Sequence, residues 1–253
     1  DVKLFDVKGL AAFMKKLCSW FLRLLAWGIT SLPQPVQMFI GDLLGWLWFD
    51  VIRLRRKVVL SNLALAFPEM PKSERVRIGR ASCCNLGRSL VEFTRIPFLK
   101  EDSKSRSQFV LKDQHFLDQA LHKRRGVCIL TLHLGNPDLA TVGMAIHGYK
   151  LHVISKYFKF KWLNELWFGV REQVGTVFIS PRNSSYAILK ALKRNAKVVF
   201  VNDQFMGPPI GLRSTFFGHE TGTALGLAMM ASRHRSPVVP IYNYRREDGK
   251  IVI

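Results

Sequence analysis

The chain is short of acid and of cysteine. Its 253 residues carry 18 Asp and Glu against 38 Lys and Arg, a formal charge of +20. So few carboxylates cannot neutralise the surface, and the field favours anionic partners: nucleic acid, anionic lipid, an acidic carrier protein or a phosphorylated substrate. The four cysteines are Cys18, Cys83, Cys84 and Cys128, and none has CxxC or zinc-ligand spacing. That excludes a disulfide framework and points to a reducing, cytosolic setting. The histidines also lack ligand spacing, so neither a metal site nor a cofactor is expected. There is no internal repeat and no low-complexity tract. The apolar stretch Leu17 to Leu32, broken by Arg23, is shorter than the ~20 residues that comfortably span a bilayer.

The aromatic residues, by contrast, are unevenly placed. Trp20, Trp27, Trp46 and Trp48, four of the six tryptophans, lie near the start. A nucleic-acid binder has no need of them, whereas a membrane-interface protein does. Phe13, Leu17, Trp20, Phe21, Leu24 and Leu25 recur at helical spacing behind Lys15 and Lys16. This reads as an interfacial helix or signal anchor, with a packed core helix as the plain alternative. Pro33 and Pro35 end it. A second apolar helix over 36–52 runs into Arg53, Arg55, Arg56 and Lys57, a cluster suited to anionic headgroups or, more plainly, to a solvated helix face. Residues 1–52 are thus expected to anchor a domain spanning 53–253. The chain starts at Asp1 and closes on Ile251-Val252-Ile253, residues that look mid-strand, so it is expected to lack a native terminus at one end or both.

A helix is expected over 73–96, and a polar loop or linker over 101–108. Beyond that, strand-like runs at 127–132, 151–155, 174–179, 197–202 and 238–242 alternate with helical stretches at 114–123, 137–147, 160–173, 184–194 and 221–233. Such alternation predicts an α/β fold: a mostly parallel central sheet flanked by helices, with its site at the carboxyl ends of the strands.

The run Gly126-Val-Cys-Ile-Leu-Thr-Leu-His-Leu-Gly-Asn-Pro-Asp138 is the most informative segment. A strand delivers His133, Gly135 permits a tight turn, Asn136 caps the next helix, and Pro137 suits its first position. Asp138 then falls in the first helical turn. The expected geometry has Asp138 accepting from one His133 ring nitrogen and the other nitrogen free to take a proton from a hydroxyl. A core histidine beside a capping aspartate is the plain alternative. Cys128, within the apolar strand, reads as inert core.

The chain resembles the bacterial lipid A biosynthesis (late) acyltransferases and, more distantly, the glycerolipid acyltransferases with a His-x4-Asp motif. The resemblance runs in order through Asn62-Leu63, Ala66-Phe67-Pro68-Glu69, Asn85-Leu86-Gly87, Glu92, His133-x-Gly135-Asn136-x-Asp138, Arg171 with Gly175, and Asp203-Gln204 with Gly207. It continues through Phe216-Phe217-Gly218, Thr223, Gly226, Ala228, Ala231 and Val238-Val239-Pro240. Lys156-Tyr157 stands where members often carry Arg-Pro, and Arg182 resembles the arginine block of the glycerolipid enzymes. The resemblance implies a membrane-associated O-acyltransferase on the cytosolic face of the inner membrane. Its donor would be an acyl carrier protein or coenzyme A thioester, and its acceptor a lipid A precursor or another lipid. His133 and Asp138 would be catalytic, and Asn136, Lys156, Arg171, Arg182, Asp203, Gln204 and Thr223 would contact substrate. Arg171, with Arg182 or Lys156, would grip phosphates. Asp203 has two readings, orienting an acceptor sugar or an arginine, or capping the turn after its strand. Phe216 and Phe217 are expected to pack in the core near the site. A basic, non-catalytic membrane or nucleic-acid binder is the rival class; intact His133, Asp138 and Arg171 argue against it, and no aromatic and basic strip for nucleic acid is present.

Overall fold

The structure is a computed structural model, and it describes residues 20–253. Lys15, Lys16, Phe13, Leu17 and Cys18 lie outside the described residues. A helix through residues 20–31 (α1) is followed by Pro33, which starts α2, Gln34–Trp46. Gln37 fixes this corner: it is buried, and its side-chain amide nitrogen Nε2 donates to the Leu32 carbonyl at 2.8 Å. A π-helical segment, Leu47–Ile52, continues α2, and α3 covers Arg56–Ala66. Arg53 and Arg55 take left-handed backbone between them.

The next helix, α4 (Lys72–Phe93), packs tightly along α2 because both contribute glycine. A Cβ added at Gly87 would lie 2.1 Å from the Gly41 carbonyl oxygen, and one at Gly45 would lie 2.3 Å from the Cys84 Cα. Any side chain there would drive the helices apart. Asp42 and Arg88 pair beside this seam at 2.6 Å, as do Asp50 and Arg80. One face of α2 therefore belongs to the body of the protein. Its other face leaves Val36, Phe39, Leu43, Leu44 and Trp46 exposed. The continuous helix Gln34–Ile52 is long and apolar enough to cross a membrane by length and composition, though 22% of it is buried.

After a 3-10 turn (Ile96–Phe98), the expected loop contains a short helix, α5 (Ser103–Arg106), capped by the Asp102 carboxylate. The α/β body then builds from β1 (Phe109–Val110), α6 (His115–His122), β2 (Val127–Thr131), α7 (Pro137–Ile146), β3 (Leu151–Ile154), α8 (Lys161–Glu172), β4 (Val177–Ile179), α9 (Ser184–Lys193) and β5 (Lys197–Val201). It closes with β6 (Gly211–Phe216), β7 (His219–Ala224), α10 (Gly226–His234), β8 (Val238–Pro240), β9 (Tyr244–Arg245) and β10 (Ile251–Val252). Five strands form one all-parallel sheet in the order β4-β3-β5-β2-β8. Helices cover both faces. Leu117, Ile129, Met144 and Val199 pack on one, while Cys128, Ile188, Leu192 and Val198 pack with Met230 on the other. Strands buried on both faces read as unbroken apolar runs, as Val-Cys-Ile-Leu does.

Two expectations need correction. Helix does not extend back to residue 221: residues 219–224 are β7, paired antiparallel with β6. Thr221 and Thr223 are β-branched and favour strand, and Gly211 and Gly222 let the Met206 carbonyl approach where any Cβ would collide. Phe216 and Phe217 are not in the core either. They form the tip of this hairpin and are 69% and 51% exposed.

Candidate active site

Strand register creates the site. In the parallel β2–β5 pair, Thr131 lies opposite Val201, and the Asn202 amide donates to the Thr131 carbonyl at 3.0 Å. Two residues further along each chain stand His133 and Asp203, so the sheet sets them side by side at its carboxyl end. Asp203 takes hold of His133 twice. One carboxylate oxygen accepts from the His133 backbone N–H at 2.7 Å, and the other meets Nδ1 at 2.9 Å. An ionised carboxylate only accepts, so Nδ1 carries the proton and Nε2 presents a lone pair. Burial is the largest single influence on Asp203 and pushes its pKa up. The two hydrogen bonds and the charge of His133 together outweigh it and hold the carboxyl below its ordinary value. The His133 side chain is 51% exposed and open to a reactant.

This corrects the expected pairing: Asp138 is not the residue on the His133 ring. Asp138 sits in the first turn of α7 and forms an ion pair with Arg171 Nη1. Arg171 is itself buried. Its guanidinium lies 4.7 Å from the Phe178 ring centroid and 5.3 Å from that of Phe168. Burial pushes the Asp138 pKa up, against the opposing charges of Arg171 and His133. Burial likewise lowers that of Arg171, against the pull of Asp138. Asp138 therefore feels His133 electrostatically while its hydrogen bond goes to the arginine. The other terminal nitrogen of Arg171, Nη2, is buried without a hydrogen-bond partner among the described residues.

The turn carrying His133 is clamped from beneath. Gly135 has φ +66°, and a Cβ there would lie 2.4 Å from both the Asn243 carbonyl and its side-chain oxygen, so only glycine fits on both grounds. The Asn243 Oδ1 accepts from the Asn136 N–H at 2.8 Å, and its Nδ2 donates to the Leu134 carbonyl at 2.9 Å. Asn136 was expected to touch substrate, but it is 2% exposed and fully committed. Its Oδ1 caps α7 by accepting from Leu139 N–H at 3.1 Å, and its Nδ2 donates to Glu92 at 2.8 Å. Glu92 on α4 is wholly buried. It is gripped by Arg245, which donates from both Nε and Nη2 and also reaches Asn85 Oδ1 at 2.8 Å.

The other expected site residues spread out. Lys156 follows β3 and is exposed, as is Gln204, beside Asp203. Arg182 lines a separate cleft of about 630 Å³ with His152, Ser184, Lys190 and Arg194. It follows β4 at the sheet edge, with β3 and β5 between it and β2, about 14 Å at ordinary strand spacing. Thr223 is in β7, its hydroxyl 2.9 Å from that of Ser214. Cys128 is fully buried in the sheet core, and burial pushes its thiol up to about 11. No cluster of potential metal ligands occurs among the described residues. Arg245 and Asn243 were missed. They lie near the end of the chain beyond every recognised motif, and no local pattern ties them to Glu92 or to the His133 turn.

A strand-end histidine held by a carboxylate, with its turn locked by an ionic network, is an arrangement fit for proton transfer. The family model for "Bacterial lipid A biosynthesis acyltransferase" matches residues 9–252. The chain belongs to this family. It is an acyltransferase of the lipid A biosynthesis type, and membership implies a lipid acceptor and an acyl donor. It is 28% identical to the lipid A biosynthesis lauroyltransferase of Escherichia coli (strain K12) over 88% of this chain and 72% of the relative. It is 26% identical to the palmitoleoyltransferase of the same organism over 91% and 74%. The figures for a lipid A biosynthesis acyltransferase of Haemophilus influenzae are 24% over 87% and 71%.

Proposed function

We propose that this chain transfers a fatty acyl group from an acyl carrier protein or coenzyme A thioester to a hydroxyl of a lipid A precursor. The observation that carries the chemistry is His133, held at Nδ1 and bare at Nε2. The lipid hydroxyl attacks the thioester carbonyl carbon while Nε2 takes its proton. The carbon–sulfur bond then breaks, and the imidazolium returns that proton to the departing thiolate. Asp203 stabilises the imidazolium through Nδ1 and keeps the ring in the tautomer the reaction needs. Asp138 adds a nearby negative charge, and Arg171 holds it in place. No cysteine is acylated on this route. Phosphates of donor or acceptor are left to the exposed cations Lys156 and Arg182, with Gln204 and Thr223 beside the acceptor path. The relatives named for lauroyl and palmitoleoyl transfer in lipid A biosynthesis support a fatty acyl group and a lipid A acceptor, and the +20 charge suits an acidic carrier protein as donor. Residues 1–52 would anchor the enzyme and residues 53–253 would carry the catalytic unit, on the cytosolic face of the inner membrane.

The test is acyl transfer from defined acyl thioesters to lipid A precursor, followed by mass spectrometry. His133→Ala should cost ~10² to 10⁴ in rate with the fold intact. A His133→Ala enzyme with near-normal turnover would sink the mechanism. A wild-type enzyme that acylates lysophospholipid but not lipid A precursor would move the assignment to a different lipid acceptor.

A further inference from the structure

The β6–β7 hairpin stands apart from the main sheet, joined to it by the segment 204–210 that follows Asp203. A two-stranded hairpin is marginal in water unless one of its faces is covered. Its base is covered, because Gly211 and Gly222 let the Met206 carbonyl approach closely and the Met206 N–H donates to the Gly222 carbonyl at 3.1 Å. Its outer part is not. Phe205, Ile210, Leu212, Phe216 and Phe217 are between 48% and 74% exposed. The register places Leu212, Ser214 and Phe216 on one face. The turn is Phe217-Gly218, both at positive φ, with Phe217 at 51°. Such turns favour Asn-Gly, and a bulky residue in left-handed backbone carries strain. The chain thus sets a large apolar side chain at the outermost point against its local preference.

This tip is also continuous with a longer apolar surface. The Phe217 ring meets Phe67 at 5.3 Å between centroids, and His219 Nε2 lies 3.3 Å from the Leu65 carbonyl. Back along the chain from Phe67, exposed Leu65 and Val58 share one side of α3 at helical spacing, and exposed Leu54 lies in the turn before it. They lead to exposed Ile52 and Val51 and then to the open face of α2. Exposed cations flank the strip near its middle: Arg53, Arg55 and Lys57, while Arg213 on the hairpin pairs with Glu220 at 3.6 Å. A contiguous apolar strip of this extent marks an interaction surface. Its rim of positive charge fits an anionic lipid surface, whose headgroups meet the cations as the apolar side chains enter.

We propose that the hairpin tip, Phe216-Phe217 with Ile210 and Leu212, inserts into the lipid surface as a membrane contact additional to the N-terminal helices. Since the hairpin leaves the sheet beside Asp203, its insertion brings the lipid surface to the mouth of the site.

The test uses the full chain carrying p-benzoylphenylalanine at Phe216 or Phe217, bound to vesicles of phosphatidylethanolamine and phosphatidylglycerol and irradiated. Tyr186, 77% exposed on α9, serves as the control position. Mass spectrometry should find lipid adducts at 216 and 217 at least tenfold above those at 186. Phe216→Ser/Phe217→Ser should in parallel reduce vesicle-bound protein, more so in high salt, where the cations are screened. Adducts at 216 confined to a second copy of the chain, or lipid adducts no more frequent than at 186, would overturn the proposal. Neither readout involves acyl transfer, so a failure here is distinct from a failure of the catalytic assignment.

Discussion

Replacing Glu92 by leucine should be among the most damaging single changes in the body of the protein. Glu92 is completely buried and accepts from Asn136 Nδ2 and from two nitrogens of Arg245. The Arg245 side chain is only 10% exposed. Without the carboxylate it retains Asn85 Oδ1 alone, a neutral partner for a buried charge. Removing one member of a buried pair costs ~3–5 kcal/mol, because the charge left behind is uncompensated. In a chain of this length each kcal/mol shifts the midpoint by ~2–4 °C, so the melting temperature should fall by roughly 6–20 °C. The double substitution Glu92→Leu/Arg245→Met removes both charges and should recover most of that loss, since buried pairs are often replaceable by apolar residues of similar size. Activity should not recover with it. Asn136 would lose its 2.8 Å anchor, and the turn that aims His133 would loosen. The assay is thermal unfolding in detergent beside acyl transfer, for the wild type, both single variants and the double variant. A Glu92→Leu protein melting within two or three degrees of wild type, or a double variant no more stable than the worse single one, would refute the reasoning.

Other substitutions probe the remaining contacts. Asp203→Asn should lower kcat by ~10² or more while leaving KM and melting temperature nearly unchanged, whereas equal effects on both would mean that Asp203 only shapes the fold; parallel kinetics and melting curves decide. Arg171→Met should cost ~3–5 kcal/mol at neutral pH by stranding Asp138. The Asp138 pKa, already raised by burial, would rise further. Below that raised value the folded state holds a proton the unfolded state has released, so the variant should lose stability as pH climbs through it; denaturant midpoints from pH 4 to 8 should show the fall, and Arg171→Met/Asp138→Asn should flatten it. Gly135→Ala should cost both stability and activity, because the added Cβ meets Asn243 backbone at 2.4 Å in a left-handed turn; melting and turnover together would show it. Cys128, with its thiol near 11, should resist iodoacetamide at pH 8 in the native protein and react once unfolded, as peptide mass mapping will reveal.

Local patterns were readable from the residues, and non-local pairings were not. Val127–Thr131 and Lys197–Val201 announce themselves as buried strands by their unbroken apolar runs, and Asn136-Pro137 announces a helix start. The glycines gave less away, since Gly41, Gly45 and Gly87 show their purpose only once α2 lies against α4. The same limit explains why the sequence pairs the His133 ring with Asp138 and the structure pairs it with Asp203. Sequence proximity favours the nearest carboxylate, and a His-x4-Asp spacing across a turn is sterically able to close. What decides otherwise is that β5 inserts between β3 and β2, a crossover no local pattern records. Once Thr131 and Val201 are in register, His133 and Asp203 have to be neighbours, and the Asp203 carboxylate reaches both the His133 backbone N–H and its ring. Asp138 is then free to take the buried arginine. Division of labour between two carboxylates follows from this: one, half-open and kept ionised by its hydrogen bonds, can hold a proton on Nδ1; the other, enclosed and raised, supplies a fixed charge only because Arg171 neutralises the penalty of its burial. Exchanging their roles would need the sheet order itself to change.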